Sequence, residues 1–142
     1  YSVEGGTLGT LGALRLSIIG DFLNNTGVDR EVTIEVLYGA TTIYTSAAIT
    51  LVASASRRAI IGEITLAANG ATNAQVASGQ ISFGGAGSVG GVGASSVFNP
   101  MAVPNAIAED STVAKTLLMR CTLSTTDANL VVRTFTATME VM

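Results

Sequence analysis

Histidine and tryptophan are absent from this chain of 142 residues, cysteine occurs once, proline twice, and charged residues make up only 12% of it. Without histidine, the commonest general base and the commonest metal ligand at neutral pH are both missing, which excludes a Ser-His-Asp hydrolase site and a histidine-ligated zinc site. The lone Cys121 has no second thiol for an internal disulfide. Its apolar neighbours at two-residue spacing in LLMRCTLS mark it as a buried structural residue, because a reactive thiol wants cationic or helix N-terminal surroundings and Arg120 is expected on the opposite strand face. The seven basic residues are scattered, with Arg57 and Arg58 the one adjacent pair, and the formal net charge is −3. Nucleic-acid binding needs a basic stripe that releases phosphate counterions, so DNA and RNA are discounted as direct partners. No apolar run approaches the roughly 20 residues of a bilayer-spanning helix. Tyr1 stands where a start methionine would, so the native start is expected to have been trimmed or left out.

What is present is a 48% hydrophobic chain whose polar positions are mostly Thr, Ser, Asn and Gly. The length suits one domain with a sizeable core. A surface poor in charge loses little solvation when another protein covers it, which favours life inside an assembly.

Alternation with a period of two dominates the pattern. In 30–38, Val32, Ile34 and Val36 alternate with Glu31, Thr33 and Glu35, as in a half-buried antiparallel strand. Leu14, Leu16 and Ile18 oppose Arg15 and Ser17 in 13–23, with a bulge expected at Ile19-Gly20. Further strands are predicted at 41–45 after a Gly39-Ala40 turn, at 47–55, 58–68, 75–83 and 113–124, and at 130–141. In the last of these Phe135, Ala137, Met139 and Val141 are expected on one face, with Thr134, Thr136, Thr138 and Glu140 on the other. Asn69-Gly70 signals a hairpin. Seven to eight strands at such spacings predict an all-β fold, an antiparallel β-sandwich of jelly-roll-like topology. Residues 1–12, with four glycines, read as an extended N-terminal arm, and 13–142 as a single sandwich domain.

Residues 84–93, GGAGSVGGVG, lack the lysine of a phosphate-cradling loop and any following helix, so they read as a surface loop. Both prolines fall in 97–108, which suits an edge segment or crossing loop. Glu109-Asp110 with Asp127, and Asp21 with Asp29, lack the alternating oxygen ligands of a calcium loop. Glu31 and Glu35 form a solvated strand face, not a glycosidase pair. No cofactor or metal is expected, and no enzymatic activity. Asn24-Asn25-Thr26 matches the glycosylation sequon, relevant only to a secreted eukaryotic protein.

The segments LRLSIIGDFLNNTGVDREVTIEVLYGATTIY, ASRRAIIGEITLAANGATNAQ and RTFTATMEV together resemble small virion proteins of tailed bacteriophages. The resemblance lies in strand-and-turn patterning from Leu14 to Val141 and carries no catalytic signature. It implies a non-enzymatic jelly-roll protein on the virion, a capsid cement (decoration) protein on the shell surface. Its partners would be the major capsid protein or another virion protein and copies of itself, commonly as a homotrimer. A tail or tail-fibre component recognising a host glycan is the alternative, against which stand the absence of Trp and an aromatic content of 5%. Inter-subunit contacts are expected from the two glycine-rich segments, through Tyr1, Val3, Leu8 and Leu11 and through Val89, Val92, Val97, Phe98 and Met101.

Overall fold

The computed structural model describes residues 1–84, 97–100 and 105–142, with only the backbone described at 97–100 and 105. Eleven strands and no helix occur among the described residues: β1 (Ser2–Val3), β2 (Ala13–Asn24), β3 (Arg30–Tyr38), β4 (Thr41–Thr45), β5 (Ile49–Leu51), β6 (Ser54–Ala71), β7 (Ala74–Phe83), β8 (Val97–Pro100), β9 (Asn105–Ile107), β10 (Lys115–Leu123) and β11 (Leu130–Val141). The surplus over the eight strands predicted lies in β1, β8 and β9, which hold two to four residues each.

Two antiparallel sheets result. The first runs β1-β10-β3-β4, with β5 also on β3; the second runs β11-β2-β6-β7-β8, with β9 also on β7. Alternation decides which face each strand buries. Val32, Ile34 and Val36 of the first sheet, and Leu14, Leu16, Ile18, Ile60, Ile64 and Leu66 of the second, enter a single buried cluster. Burial of each such side chain contributes roughly 1.5–3 kcal/mol.

Residues 1–12 lie along the domain. β1 pairs with the start of β10, Val3 and Leu8 are buried in the chain's own core, and the Gly70 and Ala68 amides donate to the Thr10 and Gly12 carbonyls. Two apolar side chains spaced to reach one cleft are worth more buried at home than exposed.

The hairpin signalled by Asn69-Gly70 forms between β6 and β7, with its turn in the Ala71-Thr72-Asn73 stretch beyond that pair, as a loop longer than two residues implied. Ala71 pairs with Ala74, which puts the turn at Thr72-Asn73, while the register slips between Ala68 and Ala71 and Gly70 takes a φ of +80° in that irregularity. Glycine was needed for a bulge, not for the turn itself.

The bulge expected in β2 at Ile19-Gly20 sits across the ladder, in β11 between Thr134 and Thr136. It turns Phe135 to the outer face, where the Arg133 guanidinium carbon lies 5.0 Å from its ring centroid. Ala137, Met139 and Val141 keep the inward parity of the Ile18, Leu16 and Leu14 they pair with. Phe135 therefore does not share their face. The bulge also presses the Arg133 carbonyl towards Gly20, where a Cβ would lie 2.2 Å from that oxygen. Gly20→Ala is expected to lose about 2 kcal/mol of stability, within the strain range of overpacked sites, as β11 is pushed off its ladder. Urea unfolding of the variant against the parent measures it, and unchanged stability would show that β11 yields freely.

Candidate interaction surface

Strand parity places six charged residues on the outer face of the second sheet: Arg15 and Asp21 from β2, Arg57 and Glu63 from β6, and Arg133 and Glu140 from β11. They collect at two ends of the face. At one end the Asp21 carboxylate accepts from Arg57 Nη1 at 2.9 Å and from Arg133 Nε at 2.9 Å, and its second oxygen accepts from Arg133 Nη2. The hydrogen bonds from Arg133 hold the Asp21 carboxyl below the usual carboxylate range against the opposing effect of burial, and Asp21 in turn raises the Arg133 guanidinium. At the other end Arg15 sits 3.7 Å from Glu63 and 3.6 Å from Glu140, and its Nε makes no hydrogen bond. One end is tightly joined; the other is loose.

Between the two ends runs an apolar row. Ile19 pairs with Ile61 across the β2–β6 ladder, and Phe135 protrudes at the bulge beside them. Their exposures are 54%, 47% and 60%. Isolated exposed apolar residues are ordinary on a protein surface, but three in one row across three strands form a patch.

A second uncovered region lies where the two sheets meet at β10 and β11. β1 covers only the first residues of β10, and among the described residues β11 has no neighbour beyond β2. A cleft of about 170 Å³ opens there, lined by Leu16, Leu117, Met119, Ala137 and Met139 with Tyr1 at its rim. Cys121 belongs to the same inward stripe of β10, and burial pushes its thiol up, away from thiolate reactivity.

Of the contact residues expected from sequence, Tyr1 and Leu11 are exposed. Val3 and Leu8 are not available, being packed in the core. Val97 and Phe98 lie in β8, paired with Phe83 and Ser82 of β7, while Val89, Val92 and Met101 fall outside the described residues. Missed altogether were Ile19, Ile61 and Phe135. The first two had a legible signal: in Ile18-Ile19 and Ile60-Ile61 consecutive isoleucines sit on one strand, and period two forces one of each pair outward. Phe135 had none, because the bulge that turns it is set by tertiary pairing.

Among the described residues no group of three or more His, Cys, Asp or Glu side chains is placed to hold a metal ion, and no helix is long and apolar enough to cross a membrane. The chain matches no family model, no curated protein and no solved structure.

Proposed function

We propose that this chain is a structural subunit of a virion: a capsid cement protein that binds the assembled shell and copies of itself, without enzymatic activity, on a jelly-roll-like sandwich. The observation that carries it is the pair of uncovered apolar regions, the Phe135–Ile19–Ile61 row and the β10–β11 cleft, on a framework with only 12% charged residues. A ligand that binds only the assembled state shifts assembly by mass action, and repetition over a lattice multiplies a weak contact through effective concentration. The nesting of strand pairs favours the jelly-roll topology: β2 pairs with β11 in one sheet while β3, next in sequence, pairs with β10, next to last, in the other. An antiparallel hairpin rolled across two sheets nests in that way. The β3–β4 and β6–β7 hairpins, each of which stays within one sheet, and the β2–β6 ladder depart from it.

Cosedimentation with empty phage shells tests the function. The purified chain is expected to pellet with shells and to stay in the supernatant alone. Failure to pellet, together with retention on a glycan array, would replace the cement reading with the tail-fibre one.

A further inference from the structure

We propose that the outer face of the second sheet is a self-complementary docking surface, on which a second copy of the chain seats face to face about a two-fold axis running along the Phe135–Ile19–Ile61 row. This rests on the assembly reading and names the self-contact within it.

The charges carry the inference. At the loose end Arg15 against Glu63 and Glu140 leaves one negative charge, and at the tight end Arg57 and Arg133 against Asp21 leave one positive charge. A two-fold along the apolar row exchanges the two ends and preserves the strand, so each strand of one copy lies over the same strand of the other. Arg57 of β6, four residues from Ile61, then comes within two residues of Glu63 of the second copy's β6, and Arg133 of β11 within two ladder steps of Glu140 of its β11, an offset of about 7 Å along the strand that the long side chains span. Isologous contacts require this kind of pairing, in which a surface satisfies its own image.

Hydrogen-bonding capacity agrees. Glu63 and Glu140 lie beyond hydrogen-bond distance of Arg15, at 3.7 and 3.6 Å, so their oxygens are open to new donors. Arg57 gives Asp21 one nitrogen, and Arg133 gives it two. Each guanidinium therefore keeps donors for the second copy. The apolar row meets itself, Ile19 on Ile19 and Ile61 on Ile61. Size is adequate too: β2 from Ala13 to Leu23 is about 34 Å long and the four long strands β11, β2, β6 and β7 are about 19 Å wide, a face of about 650 Å² that approaches the roughly 800 Å² per partner of a standard interface. Three copies around a three-fold axis would not bring this face onto itself, so the two-fold pair takes the place of the expected homotrimer.

Sedimentation equilibrium of the purified chain is expected to give twice its 14.4 kDa mass. Ile61→Asp, at an exposed position, is expected to weaken the dimer by at least about a hundredfold, about 2.7 kcal/mol. Arg57→Glu and Glu63→Arg are each expected to be monomeric alone and to form a heterodimer when mixed, a rescue that a purely intramolecular role for these residues would not produce. A monomeric or trimeric parent, a dimer indifferent to Ile61→Asp, or no heterodimer on mixing would overturn the proposal. Shell cosedimentation of the same samples separates this failure from failure of the cement reading: a monomer that pellets with shells sinks the two-fold face alone, and a dimer that does not pellet sinks the cement reading alone.

Discussion

Phe22→Ala is expected to destabilise the fold by about 4 kcal/mol, the middle of the range for emptying a buried aromatic site. Phe22 is buried at the end of β2, its ring centroid 6.0 Å from that of Phe83 at an interplanar angle of 51°. Tilted pairs of this kind contribute about 0.5–1.5 kcal/mol beyond the area they remove from water. The other face of the ring carries a charge. Arg58 pairs with Phe22 across the β2–β6 ladder, points inward, is itself buried, and sets its guanidinium carbon 6.0 Å from the ring centroid. A cation held away from water needs compensation, and the π face supplies part of it. Alanine removes the ring from Phe83 and from Arg58 together. Phe22→Leu keeps most of the volume and loses the π face, so its expected cost is about 1.5–2 kcal/mol, and the difference between the variants measures the cavity. Chemical denaturation with a shared m-value is the test; a loss below about 1 kcal/mol for alanine would mean that the site collapses around the deletion.

Most of the fold was legible because the strands obey period two over long runs. Val32 to Val36 and Ile60 to Leu66 follow the alternation into the core as read. What was not legible arises where two strands negotiate geometry. Nothing in RTFTAT says that a residue will be extruded opposite Gly20, yet that extrusion alone moves Phe135 from the inner face to the outer. Asn69-Gly70 carries the composition of a tight turn, but the ladder between β6 and β7 continues to Ala71 and Ala74 and puts the reversal three residues later. Local preference for a positive φ was right, and its use was set by register. The outer apolar row fell between these cases. Adjacent isoleucines gave the signal: alternation sets Ile61 opposite Ile60, Ile64 and Leu66, and what was missed is that Ile19 lies beside it on the same outer face. In residues 1–12 the burial of Val3 and Leu8 had no signal, because these side chains need no regular strand around them to reach the core.

Glu109→Ala is expected to cost about 3 kcal/mol, at the low end for breaking a buried ion pair because the site retains some exposure. Glu109 joins three elements, the β3–β4 turn and β10 of the first sheet through its carboxylate and β7 of the second through its backbone. It accepts from the Ala40 amide at 3.0 Å and the Thr41 hydroxyl at 2.7 Å, which holds the β3–β4 turn, and from Lys115 Nζ at 2.8 Å at the start of β10. Its own backbone is gripped by the buried Gln75 of β7, whose amide nitrogen donates to the Glu109 carbonyl at 3.0 Å while its amide oxygen accepts from the Glu109 N–H at 3.2 Å. The turn is shaped for the carboxylate: Gly39 has a φ of +63°, and a Cβ there would lie 2.6 Å from Glu109 Oε2. The ion pair is sheltered, with side-chain exposures of 12% for Glu109 and 17% for Lys115, so alanine leaves an ammonium without its counter-ion in a half-dry site. The Lys115 hydrogen bond, with those from Thr41 and Ala40, lowers the Glu109 carboxyl from its ordinary 4.5, and the Arg133 hydrogen bonds do the same for Asp21 from 3.8. In both cases the folded state holds its proton less tightly than the unfolded chain. The stabilisation is therefore complete above the unfolded values and is lost as pH falls below them and through the depressed native ones. For the parent protein, stability is expected to start falling near pH 4.5 and to fall faster below 3.8, as Asp21 joins Glu109. Glu109→Gln keeps the acceptor oxygen for the turn and abolishes the titration, so its acid limb is expected to stay flat until pH falls to about 3.8, where the unfolded chain begins to take up the protons that native Asp21 and Asp110 resist. Acid slopes that are identical in Glu109→Gln and parent would show that the carboxylate holds the turn through hydrogen bonding and that its charge contributes nothing to the joint between the sheets.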